Sequence, residues 1–468
     1  MGGLELKTLR FIVSITLIVW SFTSTDHICY ARRHGQPAQE SPAGSISVLD
    51  SGAKCDGKTD DTKAFQKAWA KACNTEKSTM LVPSGRTCLL GYIVFSGPCK
   101  LNVAFRLDGT MIAPASTSSS VWGSNREQWL LFQNVQDFVL SGDGVIDGQG
   151  HVWWKSEIDD NINQAPHLQT SLPPKTINAS LTWMDSAKKG KSGSGQRGNK
   201  PDSALRFADS RGVTVTGIKI QNSPQMHLKF EGCSNVRVLA ITISSPGDSP
   251  NTDGIHLENT RDVFIDGPVI ACGDDCISVQ TGSSNVLAQN VFCGPGHGIS
   301  IGGLGKGDSR ACVSNITVRN SSIHDTSNGV RIKTWQGGSG SASKITFADI
   351  RVSDVENVIV LDQYYCDTEG DGHCPNKTTA VEVWDVHFEK IVGTFVKSAL
   401  YMACSDSSPC TGISLAGIQL RQAAAKVDHA ESVCWQAFGQ VTDFEAPGSS
   451  CIKPERYSRT RSAGAESC

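Results

Sequence analysis

The chain has 468 residues, 46 of them glycine and 17 cysteine, with 43 basic against 46 acidic side chains for a net charge of -3. Charged residues make up only 19% and apolar ones 39%, which argues against disorder and, with no global positive field, against general nucleic-acid binding. Glycine well above the roughly 7% of average usage also argues against a long coiled coil.

In chain order, Lys7 and Arg10 precede the apolar run Phe11-Ile-Val-Ser-Ile-Thr-Leu-Ile-Val-Trp20. The run is too short to cross a membrane and fits the core of a secretory signal peptide. Small residues at Ser21, Ser24 and Ala31 put cleavage between about 21 and 31, so residues 1–31 read as the signal and the mature chain as secreted and free of the membrane. If cleavage falls after Cys29, sixteen cysteines remain, an even number that can pair completely in a compartment that permits disulfides. No CxxC pair occurs, so zinc is the weaker reading and no metal or cofactor is expected. Sequons at Asn178, Asn315, Asn320 and Asn376 are candidate glycosylation sites.

Residues 32–45, with Pro37 and Pro42, read as a flexible N-terminus and residues 46–50 as a short strand. Asp60-Asp61-Thr62 offers an N-cap, and Ala64, Phe65, Ala68, Trp69 and Ala72 follow at helical spacing, which predicts a helix over 61–73. After it the period changes to two. Short β-branched runs open at Val213, Val236, Val263, Val286, Ile316, Ile345 and Val381, in steps of 23, 27, 23, 30, 29 and 36 residues. A second strand usually follows within the same unit, as at Ile218, Ile241, Ile277, Ile299 and Val330. Units of this length with two or three very short strands suit the coils of a parallel β-helix, each burying its inward side chains against its neighbours. The helix would cover the open N-terminal end. A β-propeller needs longer blades of four strands, and a β-sandwich longer alternating strands.

These units predict one all-β body over 46–444. Two regions break the pattern. Residues 155–203 carry Pro173-Pro174 and then Lys188, Lys189, Lys191, Arg197 and Lys200, and read as an insertion loop. It is either a solvated linker or a basic loop able to hold an anionic chain. Residues 445–468 read as a tail pinned in part by Cys451 and Cys468.

Four clusters could carry chemistry: Asn251-Thr-Asp253, Gly273-Asp274-Asp275-Cys276, Gly296-His297-Gly298 and Arg331-Ile-Lys333. Asp253 to Asp275 is 22 residues and Asp275 to His297 is again 22. That interval is one coil, so with strands about 4.8 Å apart these residues stack into one patch. Crowded carboxylates raise one another's proton affinity, which can set a protonated acid beside an ionised base. Arg331 and Lys333, two apart, share one strand face, where two adjacent cations suit an anionic ligand. Asp274 and Asp275 are adjacent, so a turn or bulge must bring both into one cleft.

Taken together these stretches resemble plant polygalacturonases of glycoside hydrolase family 28. Ser249-Pro-Asn-Thr-Asp-Gly-Ile-His256, Gly273-Asp-Asp-Cys-Ile-Ser278, Gly294-Pro-Gly-His-Gly-Ile-Ser-Ile-Gly302 and Arg331-Ile-Lys333 carry the likeness. Asp56-Gly-Lys-Thr-Asp-Asp-Thr62, Phe95-Ser-Gly-Pro-Cys99, Asp147-Gly-Gln-Gly150 and Asn222-Ser-Pro-Gln225 extend it, over about residues 46 to 440.

The resemblance implies a right-handed parallel β-helix that hydrolyses the α-1,4-galacturonosyl links of pectin with inversion, at the cell wall, as a monomer. It implies Asp274 as the acid toward the glycosidic oxygen, Asp253 and Asp275 as activators of water, and His297 as a tuner of the acid or a substrate contact. Arg331 and Lys333 would take a galacturonate carboxylate, Tyr365 and Asn251 would contact substrate, and Cys276 and Cys293 would form a disulfide. Strand spacing alone lies nearer the carboxylate separation of retaining enzymes, so inversion rests on the resemblance. The long basic insertion departs from the family pattern and leaves endo and exo attack both open. Alternatives are an exo-acting or rhamnogalacturonan-type hydrolase of the same family, a calcium-dependent pectate lyase and a non-catalytic pectin-binding β-helix.

Overall fold

The computed structural model describes residues 44–118, 122, 128–154, 200–366, 374, 376–423, 432–447 and 451–455. The expected signal peptide, residues 32–43, the insertion over 155–199 with Asn178, and the tail beyond 455 lie outside the described residues.

Among the described residues, thirty-one strands join into one continuous ladder whose pairings are parallel. This is a right-handed parallel β-helix, as expected. One coil comprises the strands Met226–Glu231, Ser234–Leu239 and Thr242–Ser244, and the next comprises Ile255–Glu258, Arg261–Asp266 and Val269–Ala271. Leu228 pairs with Ile255, Val236 with Val263 and Ile243 with Ile270, so each inward apolar residue rests on its counterpart one coil away. A file of phenylalanines shows this best. Phe95, Phe132, Phe207 and Phe230 follow one another in register, their rings stacked 4.5, 5.0 and 5.3 Å apart.

Corners are made by single residues of positive φ, chiefly asparagine, aspartate and glycine. At Gly282 (φ 76°) a β-carbon would lie 2.1 Å from the Asn259 Oδ1 of the coil beneath, so this corner needs glycine. From residue 310 onward the strands are far longer than the sequence predicts. Ser339–Tyr365 is a single 27-residue strand. Lys344, Asp349 and Asp354, at φ 56°, 53° and 54°, turn the corners one residue at a time while the ladder to the next coil continues.

The predicted helix spans Thr62–Cys73 and buries Phe65, Ala68, Trp69, Ala72 and Cys73. Trp69 meets Phe95, Phe132 and Phe138 edge-on, so the helix closes the first coils on the interior aromatic file. Its capping differs from expectation. Asp60 Oδ1 accepts the Thr62 amide, whereas Asp61 turns away and accepts the amides of Lys54 and Cys55 at 2.7 and 2.9 Å.

Disulfides join Cys55–Cys88, Cys73–Cys99, Cys276–Cys293, Cys366–Cys374, Cys404–Cys410 and Cys434–Cys451. The last pins the start of the tail. Complete pairing of sixteen cysteines does not hold, because Cys233 and Cys272 are buried free thiols. Cys233 is 2% exposed and sits in the core as a small apolar side chain, its sulfur against the Phe207 carbonyl.

Candidate active site

The 22-residue interval has a direct structural meaning. Ile255 pairs with Ile277, and Ile277 with Ile299. Asp253, Asp275 and His297 each stand two residues before one of these strands, at equivalent places on three successive coils. The ladder reaches into the turns between, since the Gly254 amide donates to the Asp275 carbonyl and the Cys276 amide to the Gly298 carbonyl.

The bend at 272–276 brings both adjacent aspartates into one cleft, where Asp274 meets His297 and Asp275 meets Arg331 and Lys333. At Gly273 a β-carbon would lie 1.9 Å from the Ser249 carbonyl oxygen, so the chain passes closer there than any larger residue allows. The Gly273 amide also donates to Thr252 Oγ1 at 2.8 Å, which ties the Asp253 turn to the Asp274 bend. Cys276–Cys293 crosses directly behind.

Asp274 and Asp275 have different partners. Asp274 Oδ1 accepts from His297 Nδ1 at 2.9 Å and from the Asp275 amide at 2.8 Å. The His297 amide donates to the Asp274 carbonyl at 2.7 Å, so the two residues are fixed by main chain as well as side chain. Asp275 is 1% exposed. Its Oδ1 accepts from Ser300 Oγ at 2.7 Å and Arg331 Nη2 at 2.8 Å, and its Oδ2 from Lys333 Nζ at 2.8 Å. Arg331 and Lys333 flank the buried Ile332 and point outward together, and Lys333 Nζ lies 5.2 Å over the Tyr365 ring. Asp253 Oδ2 accepts from His256 Nδ1 at 3.0 Å. Asn251 occupies a left-handed turn (φ 54°) two residues before Asp253, half-buried.

These contacts set the protonation states. Burial, reinforced by the charge on Asp274, pushes Asp253 upward, with His256 pulling the other way. Burial also opposes ionisation of Asp274, but His297, Lys333 and Arg331 outweigh it and hold that carboxyl well below the usual range. Burial works against a charged His297, and Asp274 more than compensates, so the imidazole is raised. Asp275 stays low because Lys333 and Arg331 overcome its desolvation. In the unliganded cleft the proton therefore favours His297 over Asp274, the residue expected to donate it.

Sequence reasoning missed three contributors. Ser300 braces Asp275, and the same 22-residue step leads to it from His256 through Ser278, which the register confirms. His256 was quoted only as part of a motif. His227, fully buried, contacts the Asp253 carbonyl through Nδ1 at 2.8 Å and Ser245 Oγ through Nε2 at 2.7 Å. No spacing signal pointed to it. Also unforeseen is a charge network on the outward face of the preceding coils. Arg206 and Lys229 precede His256 in its register column. Lys229 Nζ lies 3.4 Å from Asp202, 3.0 Å from Glu231 and 3.3 Å from Glu258.

Asp274, Asp275 and His297 offer ligand atoms within 4.8 Å of one another, close enough to surround a cation. Both oxygens of Asp275 are already engaged by Arg331, Lys333 and Ser300, which favours an acid–base role for the cluster over a metal one.

The family profile described as Glycosyl hydrolases family 28 matches residues 73–181 and 174–437. A polygalacturonase of Persea americana is 41% identical over 384 residues, covering 82% of this chain and 75% of its own length. Polygalacturonase-2 of Solanum lycopersicum is 41% identical over 377 residues, covering 80% and 74%. Among solved structures, the exopolygalacturonase of Thermotoga maritima superposes with a TM-score of 0.61 at 22% identity, covering 82% of this chain and 90% of its own. With the profile spanning most of the coils that build this cluster, the chain belongs to glycosyl hydrolases family 28.

Proposed function

We propose that the chain is a secreted pectin hydrolase that cleaves α-1,4 links between galacturonosyl residues with inversion. One observation carries this reading. A carboxylate–imidazole pair, a second protonatable carboxylate and a carboxylate bound by two cations share one cleft on four successive coils.

Arg331 has further N–H groups and Lys333 further ammonium protons beyond those given to Asp275, so both can also grip a galacturonate carboxylate. That anion would offset the two charges that help to keep Asp274 ionised. The His297 proton could then cross the 2.9 Å hydrogen bond to Asp274 and reach the glycosidic oxygen as the C1–O bond breaks. A water on the opposite face supplies the new C1–O bond and loses its proton to Asp253, whose raised proton affinity makes it the stronger base. Asp275, held by three donors, places the cations and the water. Six disulfides among the described residues suit an oxidising, extracellular compartment. Asn315, Asn320 and Asn376 are exposed, which suits glycosylation there. A monomer acting on pectin at the cell wall, with no nucleic acid or cofactor, completes the reading.

Incubating the protein with polygalacturonate and a chelator tests it. We expect new reducing ends, of inverted anomeric configuration in the earliest NMR spectra, and no unsaturated product. Calcium-dependent release of ultraviolet-absorbing product would replace this reading with a lyase, and no turnover at all with a binding protein.

A further inference from the structure

The outward column that carries Lys333 continues past the catalytic cluster. Lys333 pairs with Asp362, Asp362 with Ala403 and Ala403 with Trp435. Trp435 therefore stands on the same face, three strand steps or about 14 Å along. The surface between differs from the acid-rich floor of the cleft. Val360, Tyr401 and Ala403 pack into an apolar cluster separate from the solenoid interior, with Tyr364 and Val433 against it.

Trp435 leaves 38% of its surface exposed, yet its position is fixed. The indole Nε1 donates to Asp406 Oδ1 at 3.0 Å, and the Gln436 side-chain Nε2 donates to the same oxygen at 2.8 Å. Lys453 Nζ lies 5.9 Å from the Trp435 ring centroid and 5.6 Å from that of Phe438. A lysine over an aromatic ring is also the arrangement at the cleft, with Lys333 over Tyr365 at 5.2 Å and Lys306 over Trp335 at 4.8 Å. A uronic acid residue is suited to such a pair, because its C–H groups pack against an aromatic face and its carboxylate takes the ammonium. Asp406, the nearest acid, is engaged at the edge of the indole, which leaves Lys453 as the group for the carboxylate.

We propose that Trp435 and Lys453 form a distal uronate-binding subsite, which seats a galacturonosyl residue of the chain held at Arg331 and Lys333. The inference rests on the reading that those two cations grip the substrate. It adds a second anchorage on the same groove face, reached only by chains long enough to extend from the cluster to Trp435. Aromatic and cation contacts of this kind account for about three- to tenfold in affinity.

Galacturonate oligomers of increasing length decide it. Trp435→Ala and Lys453→Ala should leave kcat/KM unchanged on the shortest oligomers that are cleaved. On long oligomers and polymer it should fall about three- to tenfold, through KM. Trp435→Phe should restore most of the loss. The same loss at every length, or none on polymer, overturns the subsite. If Trp435→Ala melts at a lower temperature, Lys453→Glu, at an exposed position, replaces it with the same length series. If the native protein cleaves no oligomer, the functional reading fails and calorimetry decides the subsite. Native protein and Lys453→Glu binding a long oligomer equally would then overturn it, and weaker binding by the variant would uphold it.

Discussion

Asp274 and Asp275 are neighbours in the chain with separable jobs. The Asp274 side chain is 19% exposed and its one ion-pair partner is a half-exposed imidazole. Asp275 is buried against Lys333, itself buried, and Arg331, whose side chain is 13% exposed. Asp274→Asn keeps an oxygen for the His297 and Asp275 N–H groups and removes only the titratable proton. We expect turnover to fall by about 10²- to 10⁴-fold, with the denaturant midpoint close to that of the native protein. Asp275→Asn should also be inactive, and in addition should lose about 3–5 kcal/mol of stability, since Arg331 and Lys333 would be left buried without a counter-charge. Urea titrations of both variants check the split, and equal stability would show that Asp275 is catalytic without being structural. The spacing did not distinguish these roles, and the resemblance separated the acid from the water activator without giving Asp275 a structural part. The bend at Gly273, which sends the two side chains to different partners, depends on the Ser249 carbonyl of another coil, a contact with no local signature.

At the scale of elements, the repeating strands and the single long helix were legible because both express a period. Alternation of two marked the inward residues, and the helical stripe from Phe65 to Ala72 marked the buried face. The strand lengths after residue 310 were not legible. There the chain keeps its ladder through corners made by single left-handed residues, and lysine or aspartate at such a corner reads as an ordinary polar surface position. Capping was half legible, since Asp60-Asp61 marked the helix start but not which of the two would cap it. The helix now supports a prediction. Trp69 is 5% exposed and touches three phenylalanines of the aromatic file, so Trp69→Ala should cost about 3–5 kcal/mol by opening a cavity at the end of the solenoid. Each coil rests only on its neighbours. The catalytic coils lie several turns away, so kcat of the folded variant should equal that of the native protein. Measuring kcat below the onset of unfolding checks this, and a parallel fall in kcat would mean that the end of the solenoid controls its middle.

At the scale of the molecule, a net charge of -3 says little about pH, because buried groups titrate far from their ordinary values. Two of them act in opposite directions on stability. Burial lowers His227 from 6.5 to about 4, so its contribution is complete above pH 6.5 and is lost as the pH falls through about 4. Burial raises Asp362 from 3.8 to about 6, so its contribution is complete below pH 3.8 and is lost as the pH rises through about 6. The two spans overlap and are of similar size, so between about pH 4 and 6 the gain from one offsets the loss from the other. Single substitutions should unmask them, read as the difference in unfolding free energy from the native protein at each pH. Asp362→Asn should gain on the native protein as the pH rises from about 4 to 6 and hold that gain above it. His227→Gln keeps an amide donor for the Asp253 carbonyl, and its deficit should shrink as the pH falls from about 6.5 to 4. Differences that do not vary with pH for either variant would mean that the two groups titrate alike in the folded and unfolded chain. The sequence could not foretell this pairing. His227 lies 135 residues before Asp362 in the chain, and each owes its shift to burial that only the stacked coils create.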